Sequence, residues 1–184
     1  MDNIKNDTLE ILLSQDEIKA KVKEMAGQIN EDYRGKSPVL VGILKGSVVF
    51  LAALMKEIEI RCSIDFIAVS SYAGASETSG IVKMIMDLRE SITDRHVLLI
   101  EDIVDTGLTM DYLKDNLLTR RPASYNICSL LSKPSARRVP VDVKYLGFEI
   151  PDKFVVGYGL DYQEQYRNIP YIATLKPEIY RRNK

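Results

Sequence analysis

Five short, almost uninterrupted apolar runs punctuate the sequence, at residues 39–43, 64–69, 97–100, 127–131 and 145–146. A strand with one face in water alternates apolar and polar residues, so runs that stay apolar describe strands buried on both faces, as in parallel sheets. Between them lie stretches with helical spacing of apolar residues, chiefly 47–57 and 109–118. Strand and helix alternate as βαβ units do, which predicts an α/β fold: a mostly parallel, twisted sheet flanked by helices. Upstream, Ser14-Gln15-Asp16-Glu17 has the pattern of a capping box, and Ile18, Val22, Met25 and Ile29 recur at helical spacing. That predicts an amphipathic helix ending near Gly35.

With 184 residues, 46% of them hydrophobic, the chain can bury one substantial core and is short for two. No internal repeat or linker divides it, so a single domain is expected. The 25 basic and 26 acidic residues nearly cancel, and bulk charge therefore points to neither nucleic acid nor an anionic membrane as partner. No apolar run reaches the roughly 18 residues of a membrane span, and residues 1–10 carry no apolar signal core. Cys62 and Cys128 sit in apolar surroundings, away from metal-ligand spacing, and are expected to be buried, reduced thiols of a cytoplasmic protein. Together with a single histidine, His96, this argues against zinc and against Cys/His nucleophilic chemistry.

In open parallel sheets ligands bind beyond the carboxyl ends of strands, so chemistry is sought just after the apolar runs. The most informative stretch is Val97-Leu98-Leu99-Ile100-Glu101-Asp102-Ile103-Val104-Asp105-Thr106-Gly107-Leu108-Thr109. A buried strand runs into two adjacent carboxylates, then a turn, then a helix. The turn would set Thr106, Gly107 and neighbouring amides at a helix N-terminus, where unpaired N–H groups and the helix dipole favour phosphate. The hydroxyls of Thr106 and Thr109 would add donors. Glu101 and Asp102, on opposite sides of the pleat, could grip different ribose hydroxyls or hold hydrated magnesium. Residues 70–80, rich in Ser, Gly, Ala and Thr, are expected to form a long flexible loop of the kind that serves as a lid. The tail from about Gly147, dense in Tyr, Pro and charge, reads as irregular structure wrapping one sheet edge.

The 101–107 string resembles the phosphoribosyl pyrophosphate signature of type I phosphoribosyltransferases, and is most similar to their hypoxanthine-guanine branch. The resemblance runs from about Leu40 to Arg167, roughly two thirds of the chain. It implies a core over about 36–147 and a small hood built from about 1–35 and 148–184. It also implies transfer of the phosphoribosyl group from phosphoribosyl pyrophosphate to hypoxanthine or guanine, giving IMP or GMP plus pyrophosphate, with Mg2+ as cofactor. A homodimer or homotetramer is implied as well.

Residue by residue, Leu44-Lys45-Gly46-Ser47 is similar to the family's pyrophosphate loop, which implies a cis, strained peptide between Leu44 and Lys45, with Lys45 and Gly46 facing the leaving group. Leu108, with Glu101, Asp102 and residues 105–107 and 109, completes the implied phosphoribosyl pyrophosphate site. Ser71 and Tyr72 resemble the start of the mobile lid. Lys133, at the end of the fourth run, is implied to donate to O6 of the base, a contact that disfavours 6-amino purines. In the segment Phe148-Glu149-Ile150-Pro151-Asp152-Lys153-Phe154-Val155, Phe154 is implied to stack on the purine and the Val155 backbone to pair with its edge, with Lys153 nearby. Asp161 is implied to ligate magnesium beside the base, Arg167 to clamp pyrophosphate, and Asp105 to take the N7 proton. Two departures stand out: Leu108 replaces a basic residue of some relatives, and Ser47 replaces a Gly. A xanthine-preferring transferase and an RNA-binding, nucleotide-sensing regulator are the alternative readings. The near-neutral charge and the intact base-binding tail weigh against the second.

Overall fold

The computed structural model describes residues 4–71 and 82–181. Its elements follow one another as strand β1 (Thr8–Leu13), helix α1 (Gln15–Asp32), β2 (Val39–Leu44), α2 (Ser47–Glu57), β3 (Ser63–Ser71), β4 (Val82–Met86), β5 (His96–Val104) and α3 (Leu108–Leu118). Then come β6 (Ser124–Ser132), β7 (Tyr145–Glu149), β8 (Val155–Val156), β9 (Ile172–Leu175) and α4 (Pro177–Arg181). All five apolar runs are strands. Helix α1 begins at the expected capping box: the Ser14 backbone N–H donates to the Glu17 carboxylate at 2.8 Å, and the Glu17 N–H donates to the Ser14 hydroxyl at 3.3 Å.

The main sheet has six strands in the order β4-β3-β2-β5-β6-β7, parallel throughout except for β4, which runs antiparallel to β3. Helices cover both faces, which is why its strands are apolar at successive positions. On β5, Leu98 and Ile100 pack in one cluster with Ile18, Met25 and Phe50 of α1 and α2. Val97 and Leu99 pack in the other, with Met110, Leu113 and Leu117 of α3. Among the described residues no helix is long and apolar enough to cross a membrane.

The chain builds outward from β2 to β3 and β4 on one side, then returns to lay β5, β6 and β7 on the other. The topological switch point therefore falls between β2 and β5, whose carboxyl ends open one crevice.

Three expectations need correction. The tail is not all irregular: residues 147–149 complete β7, and β8 and β9 join β1 in an antiparallel sheet of order β1-β9-β8. Strand β8 has only two residues, too few for any periodicity to show. At the other end, residues 8–13 form a strand, because Leu175, Thr174, Ala173 and Ile172 of β9 supply a partner about 160 residues downstream. Residues 70 and 71 are not loop but the end of β3, paired with Lys83 and Val82. Cys62 is exposed, since it lies just ahead of β3, where solvent reaches it, while Cys128 is buried in β6; both are free thiols.

Candidate active site

The crevice at the switch point is lined first by the turns that leave β2 and β5. After β2 the peptide Leu44–Lys45 is cis, as the resemblance implied. Gly46 then caps α2, and its backbone lies so close to β5 that a Cβ there would overlap the Asp102 carboxylate. Only glycine lets the loop and the carboxylate share that space. After β5 the chain turns through Asp105 and Thr106 into Gly107, which caps α3 at φ 89°, a left-handed backbone. No side chain caps this helix. Its first amides face a cavity of about 70 Å³ lined by Glu101, Asp105, Thr106, Gly107 and Thr109. Uncapped helix N–H groups next to two hydroxyls form an anion cradle. The Leu108 N–H reaches the Thr106 hydroxyl only at 3.5 Å, leaving that amide available too.

Glu101 and Asp102 part company as neighbours on a strand must. Glu101 lines the cradle cavity on the α3 side, with Oε2 buried and without a hydrogen-bond partner. Burial first, and the adjacent Asp102 second, push its carboxyl well above the ordinary range. Asp102 faces Gly46, is 8% exposed, and is pushed up to about 6 by burial. Backbone N–H bonds, including that from Ile103, and the Arg167 guanidinium pull it down, and Asp161 pushes it up.

Asp161 and Arg167 come from a double turn between β8 and β9. The Tyr158 N–H donates to the Ile169 carbonyl at 2.7 Å, the Gly159 N–H to the Arg167 carbonyl at 3.0 Å, and Arg167 returns a guanidinium bond to the Gly159 carbonyl at 2.7 Å. This folds Asp161, Glu164 and Arg167 onto one side. Arg167 lies 2.8 Å from Asp161 and 3.2 Å from Glu164, with its Nε–H buried and unpartnered. Lys45 reaches across from the β2 loop to Glu164 at 2.6 Å.

Lys133, immediately after β6, is 7% exposed. Its backbone N–H donates to the Val104 carbonyl at 3.0 Å, which ties it to the end of β5. Its ammonium stands 4.0 Å from Asp105 and 3.6 Å from Asp152. Phe154 is 47% exposed, so it is no core residue, and it meets Tyr162 edge to face at 5.7 Å. Val155 is buried in β8. Lys153 turns away to pair with Glu10 at 2.9 Å.

Most sequence-derived site residues thus converge on one crevice. Among the described residues no three acidic, histidine or cysteine side chains group closely enough to hold a metal, so Glu101, Asp102 and Asp161 do not form one cluster. Ser71 ends β3, and Tyr72 lies outside the described residues. Sequence reasoning missed Glu164 and Asp152. The spacing Asp161, Glu164, Arg167 was a readable signal, since two acids three and six residues before an arginine invite pairing with it; Asp152 gave none beyond adjacency to Lys153.

The Gly46 contact is testable. In Gly46→Ala the Asp102 carboxylate has to turn away, and a displacement of about 1 Å in a catalytic site typically costs about 10²-fold in rate. Circular dichroism should show an unchanged fold, while kcat/KM falls by that order. Wild-type kinetics in this variant would show that the close approach is dispensable.

Comparison with known proteins agrees with the geometry. The family model of the phosphoribosyl transferase domain matches residues 9–163. A hypoxanthine-guanine phosphoribosyltransferase of Staphylococcus aureus (strain Mu50 / ATCC 700699) is 50% identical over 175 residues, 95% of this chain and 98% of that protein. One from Streptococcus pneumoniae (strain ATCC BAA-255 / R6) is 48% identical over 177 residues, 96% of this chain and 98% of its own length. Among solved structures, a hypoxanthine phosphoribosyltransferase from Staphylococcus aureus superposes with TM-score 0.93 at 49% identity, covering 98% of both chains. With the signature strand, the cradle and the pyrophosphate loop in place and this identity over nearly the whole length, the chain belongs to the phosphoribosyltransferase family, in its hypoxanthine-guanine branch.

Proposed function

We propose that this chain is a purine-salvage transferase that moves the 5-phosphoribosyl group from phosphoribosyl pyrophosphate to N9 of hypoxanthine or guanine, giving IMP or GMP plus pyrophosphate. The observation that carries this reading is the placement of Lys133 and Asp105, with ammonium and carboxylate 4.0 Å apart at one end of the crevice. A 6-oxopurine presents O6 and N7 side by side on one edge. An ammonium for the first and a carboxylate for the N7 proton fit that edge. Adenine would turn an amino donor toward the ammonium.

The remaining residues divide the substrate between them. Backbone amides and hydroxyls of residues 106–109, Leu108 included, hold the 5-phosphate in the cradle. Glu101, which lines the same cavity, faces the ribose hydroxyls. Phe154, half exposed beside Tyr162, offers a face for stacking worth roughly 1–3 kcal/mol, and the Val155 backbone reads the far edge of the base. Lys45, Gly46 and Arg167 surround the pyrophosphate. The sheet of β1, β8 and β9, with the turn carrying Asp161, forms the hood.

Asp102 and Asp161 offer hard oxygen donors near one another, and burial, which raises the Asp102 carboxyl, disfavours a charge that a bound cation would offset. Magnesium is commonly held by one or two carboxylates plus substrate oxygens, so this pair fits it without Glu101. Bound there, it would supply positive charge against the departing pyrophosphate oxygens. As the bond from C1′ to pyrophosphate breaks, its electron pair leaves with the pyrophosphate, where Lys45 and Arg167 stabilise the charge. The N9 lone pair forms the new bond to C1′, and Asp105 takes the proton from N7. Self-association as homodimer or homotetramer, with Leu9, Ile11, Ile64 and Ile85 as exposed apolar surface, and a cytoplasmic setting suited to two free thiols belong to the same reading.

Three measurements test it. Asp105→Asn keeps shape and removes basicity, so turnover should fall by about 10²–10⁴ with little change in affinity for phosphoribosyl pyrophosphate; undiminished turnover would sink the assignment. Stripping divalent ions with chelator should abolish activity and added magnesium restore it, whereas full activity in chelator rejects the metal. Lys133→Gln should lower kcat/KM for hypoxanthine by the equivalent of about 1.5–3 kcal/mol while adenine loses less or gains. A uniform fall for all bases would mean that Lys133 only supports the fold.

A further inference from the structure

Glu164 occupies an unusual position for a carboxylate. Its Oε2 lies 2.6 Å from Lys45 Nζ and its Oε1 3.2 Å from Arg167, so one side chain bridges two cations that come from opposite sides of the crevice. The bridge is built in. Gln163 and Glu164 both have positive φ, 51° and 63°, a conformation that non-glycine residues adopt sparingly. The Glu164 N–H is held by Asp161 Oδ2 at 2.9 Å, and the turn is closed by reciprocal backbone bonds between Tyr162 and Gln165. This geometry aims the carboxylate at the two cations that the reading above assigns to pyrophosphate. Two oxygens, one on each cation, are what a bridging pyrophosphate would also present.

We propose that Glu164 is an affinity-determining residue: in the free enzyme it occupies Lys45 and Arg167 as an internal competitor of the pyrophosphate group, and so weakens the hold on phosphoribosyl pyrophosphate and on product pyrophosphate. The inference rests on the assignment of Lys45 and Arg167 to that group. Two opposing roles are conceivable for a bridging carboxylate, prealigning the cations or competing for them, and exposure decides between them. The side chains of Lys45 and Glu164 are 67% and 63% exposed, so their pairing is screened by water and contributes little to rigidity. A pyrophosphate carrying several negative charges easily displaces it. Once displaced, the carboxylate stays tethered by its short turn beside a polyanion of like charge. Both effects oppose binding, and weak retention of pyrophosphate favours product release. Lys45 lowers the Glu164 carboxyl first, with Arg167 adding to it, so the competitor is ionised at neutral pH.

The test is a double-mutant cycle on the full-length chain with magnesium present, reading dissociation constants of phosphoribosyl pyrophosphate and of inorganic pyrophosphate by calorimetry. Glu164→Gln should tighten both by about threefold to tenfold, the worth of one or two exposed ion pairs. Glu164→Asp, which keeps the charge but is too short to span both cations, should tighten them by a smaller factor. In the Lys45→Met background the gain from Glu164→Gln should shrink, because one of the two competed cations is gone and only Arg167 remains. Weaker binding in Glu164→Gln or Glu164→Asp would show that the carboxylate prealigns the cations and overturn the proposal. A gain that survives intact in Lys45→Met would reduce Glu164 to a diffuse charge, which also overturns it. If Lys45→Met alone leaves both affinities unchanged, the assignment of the pyrophosphate site fails instead, a result distinct from either. Should Glu164→Gln fold poorly, Glu164→Asp carries the same cycle.

Discussion

Everything in the site hangs on how β5 ends. The strand lies between β2 and β6, with α1 and α2 against one face and α3 against the other, so residues 97–100 are fully enclosed. The same strand carries Glu101 and Asp102 before the sheet lets go. Placing carboxylates at the end of such a strand is unfavourable, and the raised carboxyl groups of both residues record that penalty. The arrangement persists because burial of the apolar part is large and non-directional, whereas the penalty is local. It also keeps the carboxylates rigid, since an enclosed strand cannot shift its register without moving both helical layers.

Rigidity at β5 is passed to the rest of the crevice through short backbone links. The Lys133 N–H bonds to the Val104 carbonyl, and the Arg138 and Val139 N–H groups bond to the Thr106 carbonyl at 2.9 and 3.3 Å. The segment after β6 is therefore fastened to the turn after β5, and the ammonium of Lys133 is set relative to Asp105 by main chain rather than by the two carboxylates flanking it. At 3.6 and 4.0 Å those ion pairs are too long to be strong hydrogen bonds, which leaves the ammonium free to donate elsewhere. On the other side, the Gly46 backbone is packed against Asp102, so the loop between β2 and α2 takes its position from β5 as well.

The parallel core was legible because burial on both faces removes polar residues from the strands, and that signal survives in one dimension. Helix α1 was legible for a different reason: a capping box is a local hydrogen-bond pattern, complete within four residues. The three-stranded sheet was not. Strand β1 is mostly exposed, β8 has two residues, and both depend on β9 for their pairing, so nothing local announces them. The exposure of Cys62 was misread because an apolar neighbourhood in sequence does not fix on which side of a strand's start the residue falls. The site residues that follow strand ends were found, since the fold itself puts function there. Those that depend on distant charge, Glu164 on Lys45 and Asp152 on Lys133, were not, because a long side chain can choose among partners that only the folded chain brings near.

That division has a physical logic. In the proposed reading, residues on the rigid frame face groups that must be recognised by position: the phosphate in the cradle of α3 and the purine edge against Lys133 and Asp105. In the same reading, residues on the turn between β8 and β9 face the group that has to leave. This turn is held by several backbone bonds and anchored by buried Leu160, Tyr166 and Ile169, while its Glu164 carboxylate meets Lys45 in an exposed ion pair that exchanges readily with solvent and substrate. A site built wholly on buried pairs would hold pyrophosphate and product alike, since interactions made equally in ground and transition states add nothing to turnover. In that reading, the water-accessible pair of Lys45 with Glu164, next to a base pocket fixed by main chain, separates tight recognition of the base from weak retention of what departs.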